Sequence, residues 1–164
     1  MINFKKWFYE NIDDLYKHPH QKRNNGSLDT SYGLVMKVTP PPIDHLPDNL
    51  HPVIMSHITL IRSKDMLNIR KKVEDMLKSA DEEIMDLPKP IFGKQVIASR
   101  PNGKIGLIAE ILNQEDFRNY VDKIWNKLGI ENPRNIYYHI SLANNFYGDP
   151  KKSIGDIKEE DFIN

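Results

Sequence analysis

Two short stretches of the chain share one pattern, and they decide the predicted fold. Residues 56–60 read Ser-His-Ile-Thr-Leu, and residues 138–142 read Tyr-His-Ile-Ser-Leu. From its histidine onward each stretch alternates polar and apolar side chains, which is typical of a strand with one buried face. Because residues i and i+2 of a strand share a face, each stretch presents an imidazole and a hydroxyl on one side and two aliphatic side chains on the other.

The elements around the two stretches follow a similar order, which predicts an internal duplication. A strand at 33–38 and a proline-rich connection precede the strand at 55–61, which carries the first histidine. A strand at 104–111 and a helix precede the strand at 135–143, which carries the second histidine. We therefore predict an α+β fold, namely a pseudo-twofold duplicated domain in which two antiparallel sheets form a central cleft and the helices pack outside.

Capping and turn residues predict the remaining elements of the core. Ser63 caps a helix that runs to about residue 79, and Asn113 caps a second helix. The strand at 104–111 forms a hairpin with a strand at 91–98 through the turn Pro-Asn-Gly. The positions predicted to be buried are Met66, Ile69, Val73, Met76 and Leu77 in the first helix, and Phe117, Tyr120, Val121, Ile124 and Leu128 in the second.

The 164 residues have the usual length of one domain, which we divide into three parts. Residues 1–32 form an N-terminal extension with an amphipathic helix at 3–17 and a polar loop. The apolar stripe of that helix favours docking on the core over binding a partner or a membrane. Residues 33–143 are the core, and residues 144–164 are a C-terminal loop and a charged tail, which we expect to be only partly ordered.

Composition narrows the class of protein. Lysine plus arginine equals aspartate plus glutamate, 23 against 23, so the basic surplus of proteins that coat long duplex nucleic acid is missing. A small or short ligand is therefore favoured. The absence of cysteine excludes disulfides, thiolate metal sites and a thiol nucleophile. The sequence shows neither a signal peptide nor an apolar run that could span a bilayer, so we expect a cytoplasmic protein with no membrane partner.

The two motifs together supply the groups that phosphodiester cleavage needs. These groups are His57, Thr59, His139 and Ser141. One neutral histidine can take a proton from the attacking oxygen, while the other, protonated, gives one to the leaving oxygen. The hydroxyls can donate hydrogen bonds to the non-bridging oxygens. A lone histidine on a strand is more often structural, but two in matched positions favour a catalytic pair, for which we predict no metal and no other cofactor.

The paired motifs resemble the signature of the 2H phosphoesterase superfamily, which has two His-x-Thr/Ser-x motifs with x usually apolar. Its members include LigT-like RNA 2′,3′-cyclic phosphodiesterases, 2′,5′-phosphodiesterases and phage enzymes that cleave cyclic-nucleotide immune signals. The resemblance covers roughly residues 33–143. It implies that His57 and His139 are the catalytic acid and base, and that Thr59 and Ser141 bind phosphate.

Several residues outside the motifs are candidates for binding substrate. Tyr137 lies two residues before the second histidine and faces the same side, where it either stacks on a base or lines the edge of the core. In the loop after the second motif, Tyr147 is a stacking candidate, and Lys151 and Lys152 are candidates for binding phosphate. Arg100, at the hairpin tip, either reaches the ligand or lies on the solvated surface.

Two functions from different classes are compatible with these residues. The first is a metal-independent phosphodiesterase that cleaves RNA-like 2′,3′-cyclic, 2′,5′- or 3′,5′-phosphodiester bonds in a small or cyclic (oligo)nucleotide. One candidate is a phage enzyme that degrades a cyclic-nucleotide immune signal in the host cytoplasm, since the composition resembles that of AT-rich phage genomes. The alternative is a non-catalytic nucleotide-binding module with the same pocket. Retention of both histidines favours the enzyme. The sequence leaves the oligomeric state open.

Overall fold

The structure, a computed structural model, describes the chain over four ranges: 26–31, 33–146, 154–155 and 157–163. Antiparallel strands and helices are mixed over these ranges, in agreement with the predicted α+β class. None of the described helices is long and apolar enough to cross a membrane.

Some of the predicted features fall outside the described ranges. They are the N-terminal helix at 3–17 and the substrate-binding candidates Tyr147, Lys151 and Lys152.

Eight strands in the described part of the chain form one antiparallel sheet. In chain order they are β1 Ser27–Asp29, β2 Leu34–Lys37, β3 His51–Pro52, β4 His57–Ile61, β5 Phe92–Ser99, β6 Ile105–Ile111, β7 His139–Asn144 and β8 Phe162–Ile163. Their order across the sheet is β1-β2-β4-β7-β6-β5-β8, and β3 pairs with the end of β7. The two strands that carry the histidines, β4 and β7, are therefore inner neighbours.

Four helices lie in the same part of the chain. They are α1 Ser63–Met66, α2 Arg70–Lys78, α3 Glu82–Met85 and α4 Gln114–Lys127. The single helix predicted from Ser63 to about residue 79 is thus two helices. The predicted cap is also wrong, because Ser63 is the first helical residue and Arg62 holds the cap position. The backbone leaves the helical region at Ile69, with φ −121° and ψ −4°, directly after Asn68, whose side chain competes with helical hydrogen bonds.

The main core lies between these helices and one face of the sheet. Ile58 and Leu60 of β4 and Ile140 and Leu142 of β7 belong to this core. Most of the predicted helical positions are buried in it, and the rest are partly buried: Met76, Leu77 and Leu128. Each fully buried aliphatic side chain contributes roughly 1.5–3 kcal/mol to stability. The opposite face of β4 and β7 is left for the polar residues of the two motifs.

The sheet differs from the two separate sheets that the sequence predicted. One half contains β1, β2 and β4, the other contains β7, β6, β5 and β8, and the halves meet at a single residue pair, Ile58 with Ile140. Two separate sheets would leave the backbone groups of two buried strands unpaired at this edge, which is costly. The result is one continuous sheet with a narrow junction beneath the histidines.

The sequence did not predict the short helix α3 or three very short strands. β1 lies in the predicted polar loop, β3 in the proline-rich connection, and β8 in the tail, where it follows a 3-10 turn at Glu159–Asp161. Strands of two or three residues are too short to show an alternating pattern, so their pairing partners determine them.

Candidate active site

The junction between β4 and β7 brings the two motifs side by side. The strands run antiparallel and pair through the central isoleucine of each motif. One residue further along in each direction, this register sets His57 opposite Ser141 and Thr59 opposite His139. The expected adjacency of the two motifs is confirmed, and each imidazole lies beside the hydroxyl of the other motif.

The expected division of faces is also confirmed. The four aliphatic residues of the motifs are no more than 3% exposed, whereas the two histidines and the two hydroxyl residues all keep partial exposure. The polar groups therefore share a solvent-accessible face above a dry core.

Hydrogen bonds outside the central pair hold the two strands together. The Ser56 hydroxyl donates to the Ser141 carbonyl over 3.1 Å, and the Val53 N–H donates to the Leu142 carbonyl over 2.9 Å. The segment before β4 thus runs alongside β7, and further back in the chain β3 pairs with the end of β7. These bonds limit sliding between the strands, so the register of the motifs is well defined.

Each histidine ring bonds to the backbone carbonyl two residues before it. Nδ1 of His139 lies 3.2 Å from the Tyr137 carbonyl oxygen, and His57 bonds to the Met55 carbonyl. A carbonyl only accepts, so Nδ1 of His139 donates, and in the neutral ring Nε2 keeps its lone pair. His139 is therefore oriented as a proton acceptor.

The surroundings of His139 keep its ring neutral. Burial lowers the pKa of His139 to about 4, against the opposing effect of its bond to the Tyr137 carbonyl. The nearby His57 and the positive charge of Arg62 lower the pKa further. At neutral pH this imidazole carries no charge.

The surroundings of His57 differ from those of His139. Burial lowers the pKa of His57 as well, but the charge of Asp29 opposes this, while that of Lys37 adds to it. Lys37 lies opposite His57 in the β2–β4 register, and its Nζ lies 2.8 Å from the Asp29 carboxylate. Although burial pulls the pKa of Asp29 up, hydrogen bonds from Lys37 and Ser31 bring it down to about 2. An ion pair of Asp29 and Lys37 therefore flanks His57.

Tyr137 and Glu110 flank His139 on the other side. Glu110 lies opposite His139 in the β6–β7 register, and the Tyr137 hydroxyl lies 3.4 Å from its carboxylate. Burial, helped by Glu110 and Glu159, raises the pKa of Tyr137 to about 12. Of the two roles expected for Tyr137, the contacts favour lining, because its ring packs against Phe162.

Sequence reasoning missed four charged residues around the histidines: Asp29, Lys37, Arg62 and Glu110. Three of them reach the site through strand pairing, which a single sequence does not reveal. Arg62 directly follows β4, and burial and the charges of Arg134 and Arg100 lower its own pKa. The only sequence signal for Arg62 is its position three residues after Thr59.

Arg100 has a defined partner in the structure. Its guanidinium lies 3.0 Å from the Asp161 carboxylate. Among the residues that the structure describes, no three His, Asp or Glu side chains are grouped so as to hold a metal ion.

Comparison of the chain with protein-family models, with curated proteins and with solved structures gave no match. The resemblance to the 2H phosphoesterases therefore rests on the two motifs.

Proposed function

We propose that the chain is a metal-independent phosphodiesterase of the 2H type. Its substrate would be a small or cyclic (oligo)nucleotide with an RNA-like 2′,3′-cyclic, 2′,5′- or 3′,5′-phosphodiester bond. One observation carries the proposal: two His-hydroxyl strands pair antiparallel, so that two imidazoles and two hydroxyls lie on one accessible face. Cleavage of a phosphodiester needs two proton carriers around one phosphate, and this arrangement supplies them.

In this proposal His139 is the general base. With a pKa of about 4 its ring is neutral at pH 7. Its Nδ1 bonds to the Tyr137 carbonyl, so Nε2 is the atom that takes the proton from the attacking oxygen. That oxygen belongs to water or to a ribose hydroxyl. It forms the new P–O bond as its proton moves to His139.

His57 is the general acid. Although burial lowers the pKa of His57, the negative charge of Asp29 favours its protonated ring, and a bound phosphate diester would favour it further. As the bond from phosphorus to the leaving oxygen breaks, that oxygen takes the proton of His57. Afterwards His139 releases its proton to solvent and His57 takes one up, so both rings return to their starting states.

The hydroxyls and nearby cations complete the site. Thr59 and Ser141 would donate hydrogen bonds to the non-bridging oxygens, where negative charge grows in the transition state. The charge of Arg62, which reaches His139, would stabilise the same oxygens. A few local cations in a chain of zero net charge fit one or two phosphates better than a long polyanion.

The proposal extends to the symmetry of the fold. β2 pairs with β4 and β6 pairs with β7, so each histidine strand has an antiparallel partner of similar position in its own half. A pseudo-twofold axis between Ile58 and Ile140 would relate the halves as a duplication. The cleft would lie above this junction, with one histidine on each side.

A hydrolysis screen tests the function. The full chain is incubated with 2′,3′-cyclic nucleotides, 2′,5′-oligoadenylate and cyclic dinucleotides in the presence of EDTA. We expect cleavage of at least one substrate, with loss of activity in His57→Ala and His139→Ala. His45→Ala is the matched control, because this histidine is exposed in the connection between β2 and β3. Tight binding without cleavage of any substrate would instead identify a nucleotide-binding module.

A further inference from the structure

The described part of the tail packs on the sheet as an ordered segment. We call residues 154–155 and 157–163 the C-terminal clasp. Its strand β8 pairs with β5 at the edge of the sheet. Ile154 and Ile157 are each 3% exposed. Together with Ala98 and Ile108 they form a small apolar cluster, separate from the main core, against which Val96, Tyr137 and Phe162 pack.

The small cluster lies on the same face of the sheet as the histidines. Ile108 of β6 is opposite Ser141 in the β6–β7 register, and residues opposite each other in a sheet point to the same face. The β4–β7 part of this face carries the polar motifs. The β5–β6 part carries the apolar cluster, and the clasp covers it. The clasp therefore forms the side of the candidate site next to His139.

Tyr137 connects the clasp to His139. Its ring meets the ring of Phe162 edge to face, with centroids 5.8 Å apart and an interplanar angle of 69°. Its hydroxyl contacts Glu110, and its carbonyl accepts the hydrogen bond from Nδ1 of His139 over 3.2 Å. Tyr137 thus orients the imidazole of His139 through its carbonyl group, while its side chain packs against the clasp.

An ion pair fixes the clasp directly before Phe162. Asp161, whose side chain is 16% exposed, lies 3.0 Å from the Arg100 guanidinium. The same carboxylate accepts a hydrogen bond from the Lys158 N–H over 2.8 Å. Arg100 belongs to the turn that closes the β5–β6 hairpin, so the ion pair ties the clasp to this hairpin.

We propose that the C-terminal clasp is a positioning element of the candidate site. Phe162 holds Tyr137 and thereby fixes the ring of His139. The Asp161–Arg100 ion pair keeps Phe162 in place. The inference rests on the proposed function for its catalytic meaning. It makes three physical claims about the His139 ring, which concern its tautomer, its orientation and its shielding from water. These properties can be measured without any substrate.

The test is an NMR titration of the His139 imidazole in the full chain. In the unmodified protein we expect the proton on Nδ1 and a titration near pH 4. Phe162→Ala should raise the pKa of His139 by about one pH unit or more, because hydration of the ring weakens the effect of burial, which is the largest cause of the lowered pKa. Ile163→Ala is the matched control, since Ile163 is the next residue of β8 and is 54% exposed. It should leave the titration unchanged.

A second set of variants separates positioning from stability. Phe162→Leu keeps an apolar side chain in case the alanine variant does not fold, and Asp161→Asn weakens the lock without removing apolar surface. We expect both to move the His139 titration in the same direction by smaller amounts. If Phe162→Leu and Asp161→Asn lower the melting temperature but leave the titration of His139 where it was, the clasp is only structural and the proposal is wrong.

Activity gives an independent comparison. If the protein cleaves a phosphodiester, Phe162→Ala should lower kcat more than it raises KM, because the base loses its orientation while the binding groups remain. A shifted titration in a protein that cleaves none of the substrates would support the clasp and contradict only the proposed function. An unshifted titration in an active protein would contradict only the clasp.

Discussion

The two halves of the sheet carry the same motif in different surroundings. Beside His57, β1 and β2 supply the ion pair of Asp29 and Lys37, which remains partly exposed. On the side of His139, the clasp and Tyr137 form an apolar cluster, and burial is the largest cause that lowers the pKa of His139 to about 4. The motif decides which groups are present, whereas the neighbouring strands decide how readily each ring takes up a proton. Two similar motifs in different surroundings would in this way provide the base and the acid of the proposed mechanism.

The largest expected effect comes from removing either histidine. His57→Ala and His139→Ala should each lower the rate by ~10²–10⁴-fold, because each removes one of the two proton transfers. Both act on one transition state, so the double variant should be scarcely slower than the poorer single variant. Single-turnover rates with the best substrate of the screen measure this. A folded His139→Ala protein that cleaves at the unmodified rate would refute the two-histidine mechanism.

Removal of one hydroxyl should cost less. Thr59→Val and Ser141→Ala each lose one hydrogen bond to the charged phosphate. Such a bond contributes roughly 1.5–3 kcal/mol, so each variant should lower the rate by about 10- to 100-fold. Proton transfer by the histidines remains. Ser79→Ala, on the exposed end of α2, is the control. Equal losses for a hydroxyl and a histidine variant would mean that the hydroxyls do more than bind phosphate.

The strands and faces of the site follow from the sequence because their pattern is local. Alternation alone predicts that His57 and Thr59 share one face while Ile58 and Leu60 are buried, and the structure agrees. Asn113 directly precedes the first residue of α4, as predicted, although its side chain makes no capping hydrogen bond. Each of these features depends on residues within a few positions of one another.

The surroundings of the histidines could not be predicted because they depend on register between distant strands. Lys37 reaches His57 only through the β2–β4 pairing, and Glu110 reaches His139 only through the β6–β7 pairing. A slip of one residue would turn either side chain to the opposite face. The covering of Tyr137 by Phe162 likewise depends on a two-residue strand, β8, that has no pattern of its own.

The pH dependence tests the assignment of base and acid. The base must be neutral, so kcat/KM should rise with pH through the pKa of His139 at about 4. The acid must be protonated, so kcat/KM should fall as pH rises through the pKa of His57, which lies below its ordinary value of 6.5. We expect a bell with an acidic optimum and about tenfold loss per pH unit outside its limbs. A rate that keeps rising above pH 7 would show that His57 is not the acid.

The smallest expected effect concerns the ion pair beside His57. Asp29 raises the pKa of His57 and Lys37 lowers it, so the two charges should move the alkaline limb of the pH profile in opposite directions. Asp29→Asn should shift that limb down by about half a pH unit, the size expected for one partly solvated charge several ångströms away. Lys37→Met should shift it up by a similar amount. The acidic limb, set by His139, should stay in place in both variants.

The double variant Asp29→Asn with Lys37→Met separates charge from structural damage. If only charge matters, the two shifts oppose each other, and the alkaline limb of the double variant should return close to that of the unmodified protein. High salt should reduce both single shifts, because the pair is partly exposed and its field is screened. If instead both single variants move the limb downward, or move the acidic limb as well, the pair acts by holding β1 on β2. The contrast between the two histidines would then come from burial and from the charges around His139.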